Sequence, residues 1–135
     1  MSNWMFQKTG LLERGLNATW KRNEVISNNI ANIDTPGYKA SGVEFESLLA
    51  EAMDGTGIQG KKTRDKHMET GIGSLETIQP TIIQNTNTTM RVDGNNVDVD
   101  KEMVELARNS IQYNALVQKI SKELGRIRMA VKEGR

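Results

Sequence analysis

The strongest constraint on the fold lies in the C-terminal third of the chain. Met103, Leu106, Ser110, Tyr113, Val117, Ile120, Leu124, Ile127 and Val131 succeed one another at steps of 3, 4, 3, 4, 3, 4, 3 and 4. That spacing is an a/d heptad seam, the pattern of a helix that buries one stripe against a helical partner. Every seam site except Ser110 is apolar or aromatic. Asp98 or Asp100 suits the N-cap, and Glu102 suits the positive end of the helix dipole. Lys132 and Arg135 suit the other end. A helix over about residues 99–132 would be near 50 Å long. Val104, Ala107, Ile111 and Leu116 lie beside the seam. A two-stranded coil needs only a narrow stripe, so the wider face predicts more than one helical partner.

A second seam runs near the N-terminus. Leu12, Leu16, Thr19, Asn23, Ile26, Ile30 and Ile33 are spaced 4, 3, 4, 3, 4 and 3, which predicts a helix from about Gly10 to Ile33. The polar sites Thr19 and Asn23 cost stability and set register. Gly15 costs up to about 1 kcal/mol relative to alanine inside a helix. Trp20 and Val25 lie off the seam and offer a second contact surface. Residues 1–9 admit either a short helix capped by Ser2 or Asn3 or a frayed end.

This helix runs into a stop at Asn28-Asn29-Ile30-Ala31-Asn32-Ile33-Asp34-Thr35-Pro36-Gly37-Tyr38-Lys39. Pro36 pushes Thr35 out of the α region, and Gly37 supplies the exit angle. A simple turn would need only Pro-Gly. The surplus of Asn, Asp and Thr predicts side chains that hold backbone groups in place. Asn29, Asn32 and Thr35 have two uses open to them, local capping or binding the backbone of an adjacent subunit.

The middle of the chain is weaker. Val43, Phe45, Leu48, Leu49 and Met53 suit a short helix or an extended arm, and Gly55, Gly57 and Gly60 follow as breakers. Residues 61–74 read as a mobile loop. Residues 75–92 have room for one or two short strands, including a hairpin, and Asp93-Gly94-Asn95-Asn96 is a turn signal. The expected architecture is therefore mainly α. Two long terminal helices with heptad seams pack as an α-helical coiled coil, joined by an irregular middle arm that contains short β-strands at most. The divisions are 1–39, 40–96 and 97–135. An apolar content of 36% and an aromatic content of 4% suit a thin helical protein whose core neighbouring subunits complete.

Several kinds of chemistry find no support in the residues. His67 is the only histidine and there is no cysteine, so neither a metal site nor a disulfide is expected. Counted from Asp93, a calcium loop would need Gly at its sixth position and Glu at its twelfth. Those places hold Asp98 and Val104. The Gly55–Gly60 stretch lacks the Lys-Ser/Thr ending of a phosphate loop. Lys61, Lys62, Arg64 and Lys66 are offset by Asp65 and Glu69 with no interleaved aromatic residue, which disfavours nucleic acid. The net charge is +1, and the middle is the acidic part. No apolar run reaches the roughly 20 residues that span a bilayer, and no Sec-type signal pattern opens the chain. The expectation is a non-enzyme without cofactor, metal or small-molecule substrate.

Asn29-Ile30-Ala31-Asn32 followed by Thr35-Pro36-Gly37-Tyr38-Lys39 resembles the N-terminal signature of bacterial flagellar rod and hook proteins. Asp93-Gly94-Asn95-Asn96-Val97-Asp98-Val99-Asp100-Lys101-Glu102-Met103, with Asn109-Ser110 and Tyr113, is similar to the short proximal-rod members of that family. The resemblance covers both termini, and His67-Met68 falls where such proteins often carry a similar short segment. Ser110-Ile111-Gln112-Tyr113 departs from the Arg-Ala-Tyr type motif of FlgC, the other short proximal rod protein.

The resemblance implies a structural subunit of the proximal rod in the flagellar basal body. Its terminal helices would line a tubular drive shaft that transmits torque and forms part of the export channel. The implied partners are further copies, FlgC and distal rod subunits, the adaptor FliE, the membrane ring and the flagellar type III export apparatus, which would carry the chain without a cleaved signal. Trp20, Val104 and Ile111 are the candidate intersubunit contacts. Truncating a fully buried seam site such as Leu124 to alanine would cost about 2–5 kcal/mol. The alternatives are FlgC itself, or a coiled-coil export adaptor or binding module.

Overall fold

The computed structural model describes residues 2–53 and 78–133. In chain order it holds helix α1 (Ser2–Ala31), strand β1 (Ser41–Glu44), helix α2 (Glu46–Met53), strand β2 (Thr81–Gln84) and helix α3 (Val99–Glu133). The described residues are mainly helical, with two long helices and one small sheet among them. The loop expected over 61–74, the glycines 55, 57 and 60, and His67 lie outside the described residues.

α1 and α3 run antiparallel. Gly15 sits against Leu116, Thr19 against Asn109, and the end of α1 against Asn95. A Cβ built on Gly15 would lie 3.5 Å from a Leu116 methyl group. The glycine therefore lets the two helix axes approach, and Leu116 fills the dent it leaves. α1 is longer at its start than its seam predicts, since it begins at Ser2 rather than near Gly10. It also stops two residues before Ile33. Asn32 N–H bonds the carbonyls of both Asn28 and Asn29, and Ile33 N–H reaches only to Ile30. This is the tightened last turn of a helix whose final carbonyls are taken by other donors. α3 begins where Asp98 Oδ1 accepts the N–H groups of Asp100 and Lys101, so Asp98 is its N-cap.

The arm folds over the neighbouring face of α1. β1 and β2 pair antiparallel in the register Ser41↔Gln84, Gly42↔Ile83, Val43↔Ile82 and Glu44↔Thr81. The strand expected within 75–92 is thus present, but its partner lies near residue 42 rather than in a local hairpin. Phe45 and Ile78 are buried against Ala18 of α1, with Leu48 and Leu49 of α2 packed around them. Val25, Ile26 and Thr19 are buried as well. α1 is the central element, covered by α3 and by the arm on two adjacent faces, while Glu13, Asn17, Trp20, Glu24 and Ser27 on its far side stay exposed.

Within the single chain the α3 seam differs from the expected one. The shielded positions along it include Leu106, Asn109, Leu116, Ile120, Glu123 and Ile127. Leu106, Ile120 and Ile127 belong to the predicted seam, and Tyr113 sits at its edge. Met103, Ser110, Val117 and Leu124 stay exposed, Met103 by 54% and Leu124 by 52%. The row turned toward α1 is the one a residue earlier, at 109, 116 and 123. The close approach at Gly15 and the bond from Asn109 Nδ2 to the Thr19 carbonyl (2.9 Å) draw that row inward. On α1, the seam site Asn23 is exposed, whereas Ala18, Val25 and Asn29 are buried. Leu12, Leu16, Ile30 and Ile33 are half-buried.

Candidate assembly joint

The polar exit from α1 folds against the segment just before α3. Thr35-Pro36-Gly37-Tyr38 forms a turn closed by Tyr38 N–H to the Thr35 carbonyl at 3.3 Å. Proline at the second position and glycine with φ 71° at the third make it type II. Gly37 N–H donates to the Asp93 carbonyl at 2.9 Å. Gly94 has φ 83°, and a Cβ there would lie 3.7 Å from Gly37 Cα. Two left-handed glycines therefore meet back to back, at positions where other side chains would be strained.

Three buried asparagines fasten this meeting. Asn95 is fully buried. Its Nδ2 lies 2.9–3.0 Å from the carbonyls of Asn32, Ile33 and Thr35, and its Oδ1 accepts Val97 N–H at 2.7 Å. It thus takes carbonyls left orphaned just past the end of a helix more than 60 residues earlier in the chain. Asn29 holds Ser41 as a strand would, donating to its carbonyl at 2.8 Å and accepting its N–H at 3.0 Å. Tyr38 Oη donates to the same Asn29 oxygen. Asn96 accepts Ala40 N–H at 2.6 Å and donates to the Asn85 carbonyl and Thr88 Oγ1. Around them, Arg91 donates to the Ile33 carbonyl and pairs with Asp34 and Asp93.

Asn29 is almost wholly buried, and both ends of its amide are engaged within the chain. Asn32 donates to the Asn28 carbonyl, and Thr35 Oγ1 donates to Asn32 Oδ1. Ala31, Thr35, Pro36 and Gly37 are exposed on the outer rim of the joint. In the sequence alone, Asn95 and Asn96 read as part of a turn. Their signal was a surplus: the Asp93-Gly94 pair already makes the turn, which leaves two amides without a local task.

A second fastening ties α2 to both long helices. Arg22 Nη2 lies 2.8 and 2.6 Å from the two Glu46 carboxylate oxygens, and Arg22 Nη1 donates to Gln112 Oε1 at 3.3 Å. Burial pushes the Glu46 carboxyl up, but the Arg22 hydrogen bonds and charge outweigh it and hold it below the ordinary glutamate value. A depressed carboxylate adds stability that is present above its unfolded value and is lost as pH falls through the folded one. Glu46 is 56% exposed at its side chain, so Glu46→Gln is expected to cost only about 0.5 kcal/mol at pH 7. The gap between variant and wild-type melting temperatures should close between about pH 5 and pH 3. A gap that stays constant across that range would show that charge is not what Arg22 reads.

Elsewhere the surface is suited to contact rather than reaction. Trp20 is 65% exposed and Ile111 72%, and Val104 is exposed with them. An open cleft of about 250 Å³ lies between α1 and α3, lined by Thr19, Trp20, Asn23, Asn109, Tyr113 and Asn114 among others. Asn109 Oδ1 beside it is buried with no partner among the described residues. Among the described residues no group of His, Cys, Asp and Glu could hold a metal ion, and no helix is long and apolar enough to cross a membrane.

A family model described as "Flagella basal body rod protein" matches residues 11–39, which run from α1 through the type II turn. Proteins named "Flagellar basal body rod protein FlgB" are similar along most of the chain. The one from Bacillus subtilis (strain 168) is 38% identical over 92% of this chain and 92% of its own. That from Aeromonas hydrophila is 34% identical over 91% of each chain. That from Borreliella burgdorferi is 39% identical over 70% of this chain and 73% of its own.

Proposed function

This chain belongs to the FlgB family of flagellar basal body rod proteins, and we propose on that premise that it is a structural subunit of the proximal rod. The observation that carries the reading is similarity to rod proteins that extends over both long helices and the joint between them. The relatives spanning the chain share the FlgB name, which favours this reading over FlgC and over a free-standing adaptor. Their description as rod proteins also favours a structural role over catalysis.

In this reading the helices of 1–39 and 97–135 form the inner tube as a coiled coil, and 40–96 forms an arm outside it. The described part of a single chain buries few apolar side chains, namely Ala18, Val25, Ile26, Phe45, Ile78 and Val97. Met103, Val104, Ile111, Val117 and Leu124 stand exposed along α3, with Trp20 on α1. Such a row suits burial by neighbouring copies and by other rod subunits such as FlgC. A repeated contact between unlike surfaces does not close, and so it builds a tube or filament. The asparagine clamp supplies the stiffness that torque demands, because it ties the end of α1 to the start of α3 by hydrogen bonds rather than by a loose loop. FliE, the membrane ring and the type III export apparatus complete the proposed set of partners.

The test is location. A tagged copy in its own cell is expected to co-purify with detergent-extracted basal bodies at the rod. Basal bodies with complete rods that lack the tagged chain would sink the reading.

A further inference from the structure

The peptide bond between Asp93 and Gly94 has a chemistry of its own. Glycine sets no side chain beside its nitrogen, so that nitrogen can attack the carboxyl carbon of the aspartate before it. The Gly94 nitrogen loses its proton and bonds to Asp93 Cγ. The carboxyl gives up a hydroxyl that leaves as water, and a five-membered succinimide ring closes. Water then opens the ring. Addition at Cγ restores aspartate. Addition at the main-chain carbonyl carbon leaves isoaspartate, in which the chain runs on through the side chain and the former main-chain carbonyl becomes a free carboxylate. Water is the only co-reactant.

Exposure alone would leave this site open to the reaction. Asp93 keeps 29% of its side chain in solvent, and Val92 before it is wholly exposed. The geometry of the joint opposes it. Gly94 N–H donates to the Arg91 carbonyl at 3.0 Å, which engages the proton that the attack must remove. Asp93 Oδ1 accepts Asn95 N–H at 3.1 Å, and its Oδ2 lies 3.6 Å from Arg91 Nε. Both carboxylate oxygens are therefore held by groups other than the attacking nitrogen, and Gly94 is backed by Gly37.

The product would undo the same contacts. Isoaspartate adds one methylene to the main chain between residues 93 and 94, roughly 1.5 Å of extra path. The Asp93 carbonyl that accepts Gly37 N–H at 2.9 Å leaves the main chain. Asn95, so close behind, then loses the position from which it meets three carbonyls at 2.9–3.0 Å. A closed joint and isoaspartate exclude each other. We propose that Asp93-Gly94 is a site of isoaspartate formation that reacts only while the joint is open, so that this bond keeps a covalent record of time spent open. The proposal concerns the chain by itself and does not rest on the rod reading.

The unmodified chain tests it. The protein is held for weeks at physiological temperature and neutral pH, in buffer and in guanidinium chloride, and then digested. A purified isoaspartyl methyltransferase with labelled S-adenosylmethionine measures isoaspartate, and electron-transfer fragmentation places it. Asp54-Gly55, the other Asp-Gly bond of the chain, gives the intrinsic rate in denaturant, and Asp93 should match it there. In buffer, conversion at Asp93 should be at least about tenfold slower than in denaturant, because only the open fraction reacts. Asn95→Ala should raise it severalfold in buffer while circular dichroism shows the helices intact. Chains carrying isoaspartate at 93, separated after denaturation, should refold with a lower guanidinium midpoint than unconverted ones.

Equal conversion of Asp93 in buffer and in denaturant would overturn the proposal, since the joint would then give no protection. So would absence of conversion at Asp93 in denaturant, a folded Asn95→Ala chain that converts no faster than wild type, or an isoaspartate chain as stable as the unconverted one. If Asn95→Ala loses its helices, the comparison of buffer with denaturant on the unmodified chain decides by itself.

Discussion

Asn95→Asp is expected to remove about 3–5 kcal/mol of stability at neutral pH, a large share of what a small domain has. The exchange alters almost no volume and keeps the Oδ1 that accepts Val97 N–H. What changes is the other end of the side chain. The amide hydrogens that serve the carbonyls of Asn32, Ile33 and Thr35 give way to a carboxylate oxygen facing those three acceptors at 2.9–3.0 Å. The site is fully buried, so water cannot relieve the repulsion. Asn95→Ala leaves the same carbonyls unpaired without adding charge, and should cost about 2–3 kcal/mol with little dependence on pH. The aspartate variant should differ in one respect. Its neutral form is favoured in the fold, so its folded pKa lies above its unfolded one. Stability is then regained as pH falls through the raised value, and the new hydroxyl can serve one of the three carbonyls. Urea unfolding at several pH values measures this. An aspartate variant within about 0.5 kcal/mol of wild type at pH 7 would show that the clamp is not buried as described.

The joint also shows where reading a sequence stops. The turn at Thr35–Tyr38 was legible, because Pro36 and Gly37 impose their angles on the chain whatever lies nearby. The excess of amides around Asn29 and Asn32 was legible as a demand for backbone partners. The identity of those partners was not. Asn95 reaches the carbonyls from the far side of the arm, and no local propensity links residues so distant in the chain. The same holds for β1, whose partner β2 lies some 40 residues on in the chain. The row of α3 that faces α1 within the single chain is hidden from the sequence for a different reason. Rows 103-110-117-124 and 102-109-116-123 run side by side, and the first is the more apolar. Hydrophobicity along a sequence counts every surface that ends up buried, including those buried by other molecules. The single chain turns the second row inward, because Gly15 admits Leu116 and Asn109 reaches a carbonyl of α1. The more apolar row is left outward, as the proposed burial by neighbouring subunits requires.

Leu124→Asp separates those two kinds of burial. In the free chain Leu124 is half exposed, so the variant should melt within about 0.5–1 kcal/mol of wild type. Ile127→Asp is the internal comparison: Ile127 is shielded in the single chain, and a charge there should destabilise the free subunit by about 2–4 kcal/mol. In the rod the order reverses. If a neighbour covers Leu124, the aspartate must lose its hydration at every repeat of the contact, and the loss of leucine burial adds about 2–5 kcal/mol per site. A penalty of that size, repeated around a tube, leaves export and folding intact but stops incorporation. The expected phenotype is a folded, exported chain that is missing from basal bodies and cells that do not swim. Normal rods and swimming with Leu124→Asp would place this row in solvent in the rod, and the second contact surface would then have to lie at Trp20 and the cleft beside it.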